Sequence, residues 1–305
     1  MLSYTVRRIV GSVPTLLGIL ALTFFLLRLA PGGPFDSERA WPPEIKLNIE
    51  RKYGLDRPLY EQFGTWLADL AHGDLRESFQ YIGQPVSTII ADTLPVSAAL
   101  GGWALLLAVA AGIPLGAVAA WRSRTWVDFS SMFIAISGIS LPSYLVASLL
   151  VLVFAVWLGW LPPALLEGPE SLILPVLTLA LRPMAMVARL TRASMIEIAR
   201  EDYVRTARAK GAPEVSVVFK HMLRNSLIPV LTLLGPLTAG LITGSFVVEV
   251  IFQLPGLGKY FVSAVLNRDY PLVMGVTLVY GVILLGSNLA VDLAYAWADP
   301  RIRLR

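Results

Sequence analysis

The sequence predicts an all-α, polytopic membrane protein with six transmembrane helices, both termini in the cytoplasm and a small helical lobe outside. Three observations predict it. Apolar side chains make up 56% of the 305 residues and charged ones only 15%, with a mean hydropathy of +0.67, so lipid is the solvent for most of the chain. The apolar residues come in uncharged runs long enough to cross a bilayer, which takes ~20 residues. The charges fall between those runs, with Lys and Arg concentrated in alternate segments, so the net charge of +4 is a topology signal and not a nucleic-acid footprint. With no cysteine and only two histidines, His72 and His221, disulfides and thiolate sites are excluded and no metal site is expected.

The first run, Ile9 to Leu27, follows Arg7 and Arg8 and has the outline of a signal peptide. Its 19 uncharged residues exceed a signal-peptide core, and Leu29 to Pro34 is a poor cleavage site, so it is expected to be a retained first helix with Arg28 as a snorkelling anchor. Residues 31–92 then form an outer lobe. Leu59, Phe63, Trp66, Leu67 and Leu70 mark one face of a helix that Pro58 can start and Gly73 can stop, with His72 at its end, and a shorter helix is expected from Pro43 to Tyr53. Such a lobe either packs on the outer mouth or docks a partner.

Further runs follow at Thr93 to Trp121, Phe129 to Leu166, Asn225 to Val248 and Tyr270 to Val291. Gly112 and Gly116 in the first of these fit close helix approach. The 38-residue run from Phe129 is expected to hold one helix ending near Trp157, then an interfacial turn through Pro162 and Pro163. Ser171 to Ala188 is a weaker span, interrupted by Arg182 and carrying Pro175 and Pro183. Charge parity requires it: with six spans, fifteen Lys/Arg lie on the inside and eight outside, and removing it would expel the densest basic segment, Arg189 to Arg224. The chain divides into 1–30, the N-terminus and first span; 31–92, the lobe; and 93–305, a five-helix core containing the cytoplasmic loop 189–224.

That loop needs a function. Ile198 to Ala209 favours helix, Gly211 supplies a left-handed cap, Pro213 forbids continuation and Lys210 suits the negative end of the dipole. A second helix from Glu214 to Arg224 is expected to lead back into the membrane. Small residues at the tip suit insertion into a groove of another protein, and basic ones suit an acidic rim.

Thr206-Ala207-Arg208-Ala209-Lys210-Gly211-Ala212, followed by His221-Met222-Leu223-Arg224-Asn225-Ser226-Leu227-Ile228-Pro229, resembles the EAA loop of bacterial ABC importer permeases in its peptide-transporter form. Thr206, Arg208 and Arg224 depart from the general pattern in the manner of the peptide branch. The likeness spans the chain, including Met184 to Met195, Phe252 to Gly258, Asn267 to Pro271 and Asp299 to Arg303; Leu29 to Phe35 and Leu70 to Asp74 are most similar to the B-type subunits of oligopeptide permeases. Dipeptide and nickel permeases share the fold and are the nearer alternatives.

The resemblance implies the type I importer permease fold and a non-enzymatic pore subunit importing oligopeptides across the bacterial cytoplasmic membrane. It implies a heterodimer with a second related permease, two cytoplasmic ATPases that hold ATP and Mg, and an external peptide-binding protein. Tyr203, Arg205, Thr206, Ala207, Arg208, Ala209, Lys210 and Gly211 would form the helix that couples to the ATPase, and Glu249, Leu254, Pro255, Gly256, Leu257 and Gly258 a periplasmic gate or scoop. The chain lacks a phosphate loop, since Gly258-Lys259 is followed by Tyr260, so energy must come from a partner, transmitted as rocking of the bundle. Arg182 either faces the translocation path, where it would attract a peptide carboxylate, or snorkels or pairs with the partner permease. Asp292 is expected to pair with nearby basic groups or to cap a helix end. An ion-coupled secondary transporter, the rival from another class, would want carboxylates in mid-membrane, and an intramembrane hydrolase a Ser/His or Asp pair within the spans; the uncharged runs contain neither.

Overall fold

A computed structural model describes residues 2–34, 51 and 53–298, and the side chains of 5–34, 51 and 53–294. The expected helix from Pro43 to Tyr53 lies outside the described residues except at its end, as does the terminal segment from Asp299. The elements in order are α1 (Leu2–Leu29), α2 (Leu59–Ala71), α3 (Val86–Trp121), α4 (Trp126–Ser140), α5 (Ser143–Leu150), α6 (Ile173–Ile198), α7 (Asp202–Ala209), α8 (Arg224–Ile242), α9 (Phe246–Ile251), α10 (Leu257–Leu266) and α11 (Tyr270–Ala298). A π-helical stretch, Val151–Trp157, extends α5, and a second, Val217–Leu223, leads into α8. Among the described residues there is no strand, only a lone bridge between Glu77 and Pro85.

Five helical stretches are long and apolar enough to cross a bilayer: α1, α3, α6 with its preceding turn, Glu214–Ile251, and α11. The sixth is a bent pair. The uncharged run from Phe129 predicts one helix, but the structure breaks it into α4 and α5, which meet at 108°. Leu141 (φ −80, ψ 128) and Pro142 (φ −60, ψ 141) are extended there. Proline has no N–H to donate, and its ring drives the residue before it out of the helical region. Hydropathy cannot register such a break, because both sides of it are apolar.

Other boundaries move for local reasons. α3 starts at Val86, after Pro85, seven residues before the uncharged run, since a charge at Asp92 does not interrupt a helix. The return segment from Glu214 does not stop at Arg224 but runs on through the π-helical stretch into α8. Glu249 lies two residues before the end of the Glu214–Ile251 stretch, but that stretch is not one helix: α8 stops at Ile242, Gly244 turns the chain at φ +91, and Glu249 lies on the separate helix α9.

The centre of the bundle is α3 against α6. A Cβ at Gly112 would lie 2.8 Å from the Met184 carbonyl oxygen, and one at Gly116 would overlap the Ala188 carbonyl, so these glycines set the approach of the two backbones. α2 forms where the sequence places it, from Pro58 to a glycine stop at Gly73 (φ +80). Its Phe63, Trp66, Leu67 and Leu70 pack on Leu20 and Phe24 of α1 and Met274 of α11. Arg28 is not a snorkelling anchor: its guanidinium lies 3.5 Å from the centre of the Phe24 ring, and its Nε donates to Gln62 Oε1 at 2.9 Å. Asp269 fixes the rest of the lobe. Fully buried at the start of α11, its carboxylate accepts from the Ser78 hydroxyl and from the amides of Phe79 (3.1 Å) and Gln80 (3.3 Å). At the other end of the bundle, Arg8 pairs with Asp292 at 2.9 Å, the structural role expected for that carboxylate.

Candidate functional site

The cytoplasmic segment folds as a short helix that stops. Glu201 precedes α7 in an extended conformation, and α7 ends in a paired cap: Gly211 N–H donates to the Arg208 carbonyl (2.9 Å) and Ala212 N–H to that of Ala207 (3.2 Å). This is the Schellman arrangement, which needs a left-handed residue after the helix, and Gly211 has φ +75. Val204 is fully buried among Ala117 and Ala120 of α3, Met195 of α6, and Val217, Val218 and Met222, with Ala207 beside it. The knob is therefore seated on the ends of the two central helices. Tyr203 is tied down by Asn225, whose Nδ2 donates to its hydroxyl at 2.8 Å.

The basic residues of the knob divide into two groups. Arg208 grips Glu214 through two hydrogen bonds, 2.7 and 3.1 Å, which raise its guanidinium above the ordinary arginine value. Arg205 is 70% exposed and only 3.7 Å from an almost fully exposed Asp202, so it is loosely held. Arg205, Thr206, Ala209, Lys210 and Gly211 are exposed, as are Tyr203 and Arg208 in part.

On the opposite side, α9 and α10 enclose Glu249, which has no exposed surface. Its carboxyl oxygens accept from Ser97 Oγ of α3 (2.8 Å) and from the Lys259 amide in the first turn of α10 (2.8 Å), while Ser97 Oγ also accepts from the Leu257 amide (2.8 Å). Gly256 and Gly244 leave no room for a Cβ against that carboxyl group, and a Cβ at Gly258 would lie 3.1 Å from Glu249 Oε2. A carboxyl group at a helix N-terminus satisfies amides that have no partner within the helix. Leu254, Gly256, Leu257 and Gly258 are buried with it, whereas Pro255, Gln253 and Lys259 are exposed. The residues expected at a gate thus form one unit in which Glu249 is an internal tie and the outward surface belongs to Gln253, Pro255 and Lys259. The Leu165 amide donates to the Phe252 carbonyl at 2.9 Å, joining the outer turn after α5 to this unit.

Arg182 lies near the middle of α6 and is exposed on the single chain. It lines a cavity of about 350 Å³ formed where α4 and α5 separate at Pro142, together with Ser140, Ser143, Thr178 and Ser245. Three sites escape a reading of the sequence: Ser97, 152 positions from its partner; the cavity, which depends on the break; and a two-bonded pair between Arg192 and Asp128 (2.6 and 2.8 Å) that ties α4 to α6. Pro142 was the available signal for the break, and none marked the other two.

A bundle of this topology, with a capped knob on one side and a glycine-bound turn on the other, defines a multi-pass membrane transport component. Residues 1–101 match the family described as the N-terminal part of binding-protein-dependent transport system membrane components, and residues 112–304 match the binding-protein-dependent transport system inner membrane component family. The chain belongs to that family and is a multi-pass protein of the bacterial inner membrane. It is 46% identical over 305 residues to the oligopeptide transport system permease protein OppB of Salmonella typhimurium, covering 99% of this chain and all of that protein. It is also 43% identical over 304 residues to the dipeptide transport system permease protein DppB of Bacillus subtilis, covering 100% of this chain and 99% of that protein. A crystal structure of an amino acid ABC transporter with histidines shares the fold, with a TM-score of 0.53 at 18% identity over 68% of this chain and 93% of that one.

Proposed function

We propose that this chain is the transmembrane permease subunit of an ATP-driven importer that carries oligopeptides across the bacterial cytoplasmic membrane. The observation that carries this reading is the 46% identity, over 99% of this chain and all of that protein, to an oligopeptide transport system permease protein. The knob formed by Tyr203 to Gly211 docks on a separate ATPase subunit, which supplies ATP and Mg, and its seat on α3 and α6 gives the stroke a direct route into the bundle. The unit of Glu249 and Leu254 to Gly258 is the outer gate that meets an external binding protein. Arg182 lies on the substrate path: a charged side chain at that depth cannot face lipid without a cost of a few kcal/mol, so its side of α6 faces water or protein. A second related permease completes the pore.

Dipeptide import is the second reading, favoured by the 43% identity to a dipeptide permease protein. Both are tested by deleting the gene and measuring uptake of labelled peptides of two to five residues. Loss confined to peptides of three residues or more supports oligopeptides, loss confined to dipeptides supports the second reading, and unchanged uptake of all lengths overturns peptide import. Purification of the tagged protein is expected to bring down an ATPase and a second permease.

A further inference from the structure

The helix break and Arg182 belong together. At 1.5 Å per residue, Arg182 lies about 20 Å from one end of the Pro169–Ile198 helical stretch and about 24 Å from the other. The stretch is longer than the ~30 Å hydrocarbon core, but a residue this close to its middle still lies well inside the core, beyond easy reach of the interface along the helix. Among the described residues no carboxylate forms an ion pair with it. It opens instead onto the cavity at Pro142, and it is the one charged side chain among the described residues lining that space.

The other polar groups there are hydroxyls. Thr178 Oγ1 is committed to the Leu174 carbonyl at 2.8 Å, while Ser140, Ser143 and Ser245 carry hydroxyls with no hydrogen bond among the described residues. A space of about 350 Å³ has room for more than a lone carboxylate group. Ser245 at the edge of the cavity follows Gly244, where an added Cβ would collide with the Glu249 carboxyl group, so the cavity borders the unit built around Glu249. One positive charge, several hydroxyl donors and room for a terminal residue match the chemistry of a carboxylate-ended ligand.

We propose that this cavity is the subsite for the C-terminal carboxylate of the transported peptide, with Arg182 as its ionic partner and Ser140, Ser143 and Ser245 as auxiliary donors. The inference rests on the reading of the chain as a peptide importer subunit. Arg182 here positions and selects substrate and performs no covalent step.

The test uses the complete complex in proteoliposomes, with one peptide in free-acid and C-terminal amide forms, each delivered already bound to the same external binding protein. Arg182→Gln is expected to lower ATP-dependent uptake of the free acid roughly tenfold or more, the worth of a charge-assisted hydrogen bond, while the amide stays within about twofold of wild type. Arg182→Lys, which keeps the charge and loses the planar fork, is expected to give a smaller loss confined to the free acid. Equal losses for both peptides in the two variants would mean that Arg182 pairs with another subunit, and would overturn the proposal, as would unchanged uptake of the free acid. If Arg182→Gln fails to assemble, the same comparison is decided on Arg182→Lys. A wild-type complex that imports neither peptide would overturn the importer reading itself, and the subsite with it.

Discussion

Gly211 has open space where its Cβ would be, so any substitution there is opposed by backbone conformation alone. Forcing a β-branched residue to φ +75 costs on the order of 1–2 kcal/mol and loosens the two cap hydrogen bonds. Gly211→Val is expected to abolish peptide uptake while membrane insertion and abundance survive, and Gly211→Asn, which tolerates the left-handed region, to retain most of it. Uptake in vesicles alongside quantitative immunoblotting checks both. Glu249 behaves in the opposite way, because it is defined by contacts. A glutamine of the same shape must turn an NH₂ toward either the Ser97 hydroxyl or the α10 amides, so Glu249→Gln is expected to lose about 1.5–3 kcal/mol, read as a lowered thermal midpoint in detergent. The two residues also differ in how openly the sequence announces them. A glycine two positions before a proline at the end of a helix-forming run is local punctuation, whereas the burial of Glu249 depends on a serine 152 residues away.

At the scale of elements, α7 presents a divided surface. The Arg208 to Glu214 pair is almost half exposed on both sides and is worth ~0–1 kcal/mol, so Arg208→Ala is expected to leave thermal stability nearly unchanged. Arg205 and Lys210 are the cations turned outward. The double variant Arg205→Glu with Lys210→Glu is expected to reduce co-purification of the ATPase several-fold while the membrane fold persists; wild-type recovery of both would show that this face docks nothing. The helices themselves were legible to different degrees. α2 appears between its proline and glycine as its apolar spacing requires, and α7 stops where Gly211 and Pro213 stop it. The split of α4 from α5 was hidden because apolar length alone reads as one span, although Leu141-Pro142 carried the stereochemical reason for a break.

For the whole molecule, charge parity and the positions of α2 and α7 agree on one topology. A probe at Ser123 and a tag after Arg305 are expected to report cytoplasmic, and a probe at Glu61 outside; outside labelling of Arg305 would refute an even number of crossings. The number of spans was readable because bilayer thickness acts on every one alike. The ties that close the structure were not, since Asp269 meets Ser78 and Asp128 meets Arg192 across long sequence separations. The contact of Gly112 and Gly116 with the Met184 and Ala188 carbonyls has a mechanical consequence. Two helices pressed backbone to backbone through successive turns bear load as one strut, and α7 rests on the end of it. A thrust on the knob then passes along that strut with little loss. If the knob transmits a stroke as proposed, the compliance it needs lies where regular hydrogen bonding lapses, at the π-helical turns and at the elbow beside Pro142.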